Sequence, residues 1–168
     1  MTQPQLEPRA QAFVEHYYQQ HPQARRERHI EADYFCADEH SANQCALLVA
    51  QGIKRATCSL EAWYQPGAER RPEKEDWLIV TDWSGSPVAL VEITRVESCA
   101  FADVDAEFAA AEGEGDASLA AWQAAHWAFF SRDCSELGLT PDPQMMLVQE
   151  HFQLLAVHPA YSALLNQT

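Results

Sequence analysis

Gly52-Ile53-Lys54-Arg55-Ala56-Thr57-Cys58-Ser59 is the stretch on which the fold turns. It lies between an apolar helical run, Ala42 to Ala50, and the first Trp-bearing segment. Gly52 reads as a helix terminator, because only glycine enters the left-handed cap conformation without a steric penalty. The chain then turns into a short extended piece, with Lys54 in the turn and Thr57 in or near a strand. Such a turn can aim an ammonium and a hydroxyl into one hollow. A Lys whose pKa is lowered by burial can take a proton from a Thr hydroxyl. The same residues also serve ordinary folding, since a Lys past a helix C-terminus is favoured by the dipole and a Thr suits a strand. The spacing leaves both readings open. Lys54 is one of only two lysines in the chain, the other being Lys74.

Around this stretch, 168 residues fit a single domain that buries a substantial core without staples. The five cysteines, Cys36, Cys45, Cys58, Cys99 and Cys134, are odd in number and form no C-x-x-C. That pattern predicts reduced thiols in a cytoplasmic protein. Met1 to Gln5 lacks a basic flank followed by an apolar run, so no signal peptide is expected. No apolar segment approaches membrane-spanning length. The net charge of -14 repels a polyanion, so nucleic-acid contact requires a local basic patch or an enclosed pocket. Arg25, Arg26 and Arg28 form one basic cluster and Arg70, Arg71 and Lys74 another. Both are interrupted by acids and read as solvated surface.

Leu6 to Gln20 has helical spacing of Phe13, Val14, Tyr17 and Tyr18, ended by His21-Pro22. Tyr34-Phe35-Cys36 is an apolar anchor, and Asp38 or Ser41 can cap the helix through Val49. Ser59 can cap a helical turn through Leu60 and Trp63. Trp77 to Thr81 and Val88 to Val96 read as a hairpin around Asp82-Trp83-Ser84-Gly85-Ser86-Pro87. A short helix over Val104 to Ala111 precedes Glu112-Gly113-Glu114-Gly115-Asp116. The longest helix follows, about Ala117 to Leu137, with an inner stripe of Leu119, Trp122, His126, Phe129 or Phe130, Cys134 and Leu137. Met145 to Val157 is a final strand. This order predicts an α+β domain around a small mixed or antiparallel barrel.

The acids between the glycines are expected just before a helix N-terminus, where carboxylates are favourable. Asp116 then serves as the cap, or Glu112, Glu114 and Asp116 together hold Mg²⁺ or Mn²⁺. His126 is either a hydrogen-bonded core histidine or a general acid or base. Trp63 is a core residue or a platform on which a base stacks.

Two separated motifs carry a resemblance. Gly52-x-Lys54-x-x-Thr57 followed by a hairpin, then Phe108-Ala109 and Glu112-Gly113, resembles the ASCH domains, which share the PUA-like fold. Phe35-Cys36, Val80-Thr81-Asp82-Trp83 and His126-Trp127-x-Phe129-Phe130 fit the larger branch once catalogued as a domain of unknown function. The resemblance covers about Tyr34 to Leu154 and implies RNA-related work. Compact bacterial members look like amidohydrolases that remove an acyl group from N4-acylated cytidine, using a Lys, a Thr nucleophile and a later Glu. Matched by motif, these are Lys54, Thr57 and Glu112. The longer branch is associated with ribonuclease activity on single-stranded RNA. The N-terminal helix, the long helix after Asp116, and Cys58-Ser59 after Thr57 depart from the compact members.

The expected architecture is therefore a PUA-like small β-barrel with surrounding helices. Residues 1–29 form an N-terminal helical extension, 30–158 the ASCH domain and 159–168 a C-terminal tail. The expected function is an RNA-related hydrolase acting on single-stranded RNA. The alternatives are an amidohydrolase of N4-acetylcytidine or a related nucleoside, and a non-catalytic nucleotide-binding module. Lys54, Thr57 and Glu112 are the expected catalytic set, and Trp63, Glu114, Asp116 and His126 the substrate-binding set. No cofactor is expected, with Mg or Mn at Glu112, Glu114 and Asp116 as the alternative. Expected partners are single-stranded RNA or a small modified nucleoside, without duplex DNA or membrane; a homodimer is compatible.

Overall fold

The computed structural model describes residues 5–166. The first four residues, read above for a signal peptide, and the last two of the C-terminal tail lie outside the described residues. Five strands form one mixed sheet in the order β1-β3-β4-β5-β2. They are β1 (Ile30–Asp33), β2 (Ala56–Leu60), β3 (Trp77–Thr81), β4 (Pro87–Ala100) and β5 (Met146–Val157). β1 runs parallel to β3 and every other pairing is antiparallel. Five helices surround the sheet: α1 (Pro8–Gln20), α2 (Glu39–Ala50), α3 (Ala106–Glu112), α4 (Leu119–Glu136) and α5 (Pro159–Leu165).

The sheet curls because β4 and β5 are long and irregular. β3 leaves β4 at the Trp77–Glu92 pair, and beyond it Arg95 to Ala100 pair with β5 alone. The register shifts between Ile93 and Arg95, and Thr94 turns its hydroxyl onto the His151 carbonyl at 3.1 Å. Such bulges bend a strand and increase its twist. The result is a half-barrel, with β1 and β3 on one wall and β2 on the other.

Alternation along the strands divides the core. Ile79 and Leu90 meet Phe13, Val14 and Tyr18 of α1, while Val80, Ala89 and Val91 meet Ala46, Val49 and Ala50 of α2. A third cluster joins Ala56, Leu60 and Leu147 to Phe108, Trp122 and Phe130 of α3 and α4. Each helix is stabilised mainly by the apolar face it buries.

Several expectations change here. Ile30 to Asp33 forms an edge strand, and the tail folds as α5 with His158 accepting from the Ala160 amide. Ser59 lies within β2 and bonds Tyr64 at 2.7 Å, and Leu60 rather than Ser59 precedes the 3-10 turn Glu61–Tyr64. Arg25 and Arg26 make exposed ion pairs, but Arg28 turns inward, pairing with Glu92 at 2.8 Å and lying over the Trp77 ring. The tertiary partners Glu92 and Trp77 explain why a cluster read as solvated surface has an interior member.

Candidate active site

The two motifs separated in sequence meet at Gly113. α2 ends at Gly52, whose φ of 73° is the left-handed conformation expected of it, and the amides of Ile53 and Lys54 both return to the Leu48 carbonyl. α3 is capped by the Asp105 carboxylate on the Phe108 amide at 2.8 Å and ends at Gly113, with φ of 65°. A Cβ on Gly113 would lie 2.9 Å from both the Ile53 carbonyl oxygen and its Cγ2. The Arg55 amide also donates to the Ala111 carbonyl at 2.7 Å. Glycine is thus required there twice, by its dihedral angle and by the approach of another backbone.

This contact brings Lys54 between two carboxylates. Its Nζ lies 2.6 Å from Glu114 Oε1 and 3.5 Å from Glu112 Oε1, and the residue is only 1 % exposed. Burial by itself pushes the ammonium pKa down, but Glu112 and then Glu114 outweigh it and hold the group above its ordinary value. The lowered pKa expected from burial is therefore reversed, and Lys54 is a fixed cation. The Phe35 ring, 5.1 Å from Nζ, covers another side.

Glu112, also 1 % exposed, ends α3 rather than heading a helix. A carboxylate is unfavourable at that end of the dipole, and three side chains compensate. Oε1 faces Lys54, while Oε2 accepts from Trp122 Nε1 and contacts His126 Nε2 at 2.8 Å. Burial raises the Glu112 pKa, but Lys54 and His126 reverse that and leave it below the ordinary carboxylate value. His126 stacks on Trp122, and its Nδ1 lies 2.9 Å from the Trp122 carbonyl. That oxygen only accepts, so the contact calls for an Nδ1–H donor.

Thr57, Glu112, Glu114 and His126 line a cavity of about 550 Å³, together with Cys36, Cys45 and Phe129. Lys54 stands behind this wall. Thr57 also lines an adjoining cavity of about 610 Å³ that contains Trp63. The Trp63 indole donates to Asp133 at 3.3 Å and packs against the third core cluster. Asp116 joins neither group: it is exposed and accepts from the Ser118 amide at 2.9 Å. The cap of α4 is Ser118, which accepts from Ala121 at 3.2 Å. The three acids do not converge, because Glu112 and Glu114 are drawn to Lys54 and Asp116 is not.

All five cysteines are free thiols. The fold brings Cys36 and Cys45 to a sulfur separation of 3.4 Å, and Cys45 Sγ donates to Glu114 Oε1 at 3.5 Å. The hydrogen bond from Cys45 lowers the Cys36 pKa. Among the described residues two groups carry ligand-type atoms within 4.8 Å of one another: Cys36, Cys45 and Glu114, and Cys58, Glu112 and His126. In each the carboxylate already holds the Lys54 ammonium, so a cation at either group would compete with it. Sequence reasoning also passed over Glu150. It faces Thr57 across β5 and β2, and only that pairing gives it significance.

The half-barrel, with a buried Lys and Glu pair at the junction of α2, α3 and β2, is a domain of the PUA-like type. The chain belongs to the ASCH domain family, whose model matches residues 31–156. An ASCH domain from Lactobacillus crispatus JV V101 is 48 % identical, with a TM-score of 0.83 over 90 % of this chain and 96 % of that one. Protein EF3133 from Enterococcus faecalis V583, described under the family name DUF984, is 26 % identical, with a TM-score of 0.78. That match covers 90 % of this chain and 95 % of that one. No curated protein matches the chain. Among the described residues no helix is long and apolar enough to cross a membrane.

Proposed function

We propose that the protein hydrolyses the acyl–nitrogen bond of a small modified nucleoside of the N4-acylcytidine class, with Thr57 as nucleophile. The observation that carries this reading is Lys54, a buried cation between Glu112 and Glu114, with Thr57 on the adjoining cavity wall. A cation that binds phosphate needs to be reachable, and Lys54 is 1 % exposed with two carboxylates already on it. The ribonuclease role of neutralising a phosphate therefore suits it poorly. A non-catalytic binding module has little use for a desolvated ion pair, since the desolvation cost is large. The adjoining cavity adds to this, as Glu31, Asp76, Asp133 and Glu150 line it and disfavour a polyanion.

In this reaction Thr57 Oγ attacks the acyl carbon, while Lys54, out of reach of the substrate, holds Glu112 and Glu114 in place beside the cavity. Lys54 as an ammonium has no lone pair to accept the Thr57 proton, and Glu112 has both oxygens engaged. Thr57 requires another acceptor.

The test is an assay of the purified protein on N4-acetylcytidine and on single-stranded RNA, with and without Mg²⁺ or Mn²⁺. Release of acetate and cytidine is expected without added metal. Thr57→Val, nearly isosteric, is expected to lower the rate by roughly 10³-fold or more. RNA cleavage that Thr57→Val reduces only about 10-fold, the scale of one hydrogen bond, would favour the ribonuclease reading.

A further inference from the structure

We propose that Glu150 is the catalytic base that takes the proton of Thr57 and returns it to the leaving nitrogen. This deepens the acyl-transfer reading above and rests on it. Thr57 and Glu150 are direct partners in the antiparallel pairing of β2 with β5. Directly opposed residues point to the same face, with Cβ atoms about 4.5–5.5 Å apart. Their neighbours Cys58 and Gln149 are likewise paired and point to the other face. Both Thr57 and Glu150 line the second cavity.

Among the described residues Glu150 and the exposed Glu69 are the unengaged acids lining this cavity, and of the two Glu150 stands opposite Thr57. Among the described residues its carboxylate forms no hydrogen bond or ion pair. Glu114 and Glu112 share Lys54, Asp76 is held by Arg70 at 2.5 Å, and Asp133 accepts from Trp63. Burial is the largest influence on Glu150, followed by Glu31 of β1 and Asp76 before β3; Lys54 opposes them. The carboxyl is pushed up to about 7. A base is most effective when its pKa lies near the working pH. His29 hydrogen-bonds Glu31, and Tyr64 and Asp133 face the same cavity.

The step balances. The Glu150 carboxylate takes the Thr57 proton as Oγ bonds to the acyl carbon and the carbonyl electron pair moves to oxygen. Collapse of this adduct breaks the C–N bond, and the nitrogen takes the proton from Glu150. Water then attacks the Thr57 ester and gives a proton to Glu150, which returns it to Thr57 Oγ as the acid departs.

Glu150→Gln keeps shape and removes the base. On N4-acetylcytidine it is expected to lower kcat by roughly 10²–10⁴-fold. Wild-type acylation of Thr57 by 4-nitrophenyl acetate, followed by mass, should rise with pH through about 7. The variant should lose that inflection. The nitrophenolate leaves unprotonated, so the variant should lose less with this ester than with the amide. Glu69→Gln, at an exposed acid of the same cavity, should retain the inflection. Thermal unfolding at pH 8 establishes that the variant is folded. Activity within threefold of wild type with an unchanged pH profile would overturn the role of Glu150 while leaving Thr57 as nucleophile. Ester acylation with the expected profile, but no turnover of the amide, would keep Glu150 and sink the substrate assignment. If neither probe reacts at Thr57, both readings fall.

Discussion

Lys54 is a cation placed where solvent does not reach it, so its worth lies in what it does to its neighbours. It neutralises Glu112, whose carboxylate would otherwise be buried without a counter-charge. Removing one partner of a buried pair costs about 3–5 kcal/mol. Lys54→Met is therefore expected to destabilise by that order at pH 7, measured by chemical denaturation, and to abolish activity. The pH dependence has a definite sign. Glu112 has a folded pKa below its ordinary 4.5, so its contribution is present above that value and lost as pH falls through the folded one. In the variant, protonated Glu112 needs no counter-charge, and the gap to wild type should narrow towards pH 4. A constant gap would mean that Lys54 acts through packing alone. Glu150 has the opposite sign. Its folded pKa is raised from 4.5 to about 7, so the stability it contributes is present below 4.5 and is lost as pH rises through 7. Glu150→Gln should stabilise the fold at pH 8 by on the order of 3 kcal/mol and leave it nearly unchanged at pH 4.

At the scale of elements, the site depends on how closely the loop after α3 can approach the loop after α2. Gly113→Ala adds a methyl group 2.9 Å from Ile53 backbone and side chain, at a φ of 65° that Ala rarely adopts. The dihedral strain alone costs about 1 kcal/mol or more, and the clash must move the loop carrying Glu112 and Glu114. Stability should fall by about 1–3 kcal/mol, and activity by far more than that fraction unfolded explains. Gly115→Ala has open space at its Cβ and is the control for the dihedral strain alone. Equal effects on activity would remove the close approach from the account. What sequence made legible follows the same logic. β3 was readable residue for residue because Leu78, Ile79 and Val80 make a short apolar run beside a turn. β1 was not, since three of its four residues are exposed and its parallel pairing is a tertiary fact. The meeting of Lys54 with Glu112, 3.5 Å apart, was reached through the family motifs, and Thr57 shares a cavity lining with Glu112. Local pattern misjudged Glu112, which closes one helix instead of opening the next. Glu150 had no local signal, because its meaning comes from the strand opposite.

For the whole molecule, charge and cavity point the same way. The chain carries a net charge of -14, and the cavity beside Thr57 is lined by Glu31, Asp76, Asp133 and Glu150 with Arg70 among them. A phosphate entering this field meets a like potential, whereas an uncharged nucleoside does not. The 5′-monophosphate of N4-acetylcytidine is therefore expected to have a KM about 10-fold above that of the nucleoside at low salt, a difference of about 1.4 kcal/mol, with kcat little changed. The penalty is long-range, so salt should screen it. The Debye length falls from about 30 Å at 0.01 M to about 8 Å at 0.15 M ionic strength, and the two KM values should draw together across that range. The nucleoside KM should stay within about twofold. Steady-state assays of both substrates at the two salt concentrations decide the matter. A phosphorylated substrate that bound better, and lost affinity as salt rose, would instead require a cationic patch that meets the phosphate. It would return single-stranded RNA to first place among the ligands of this site.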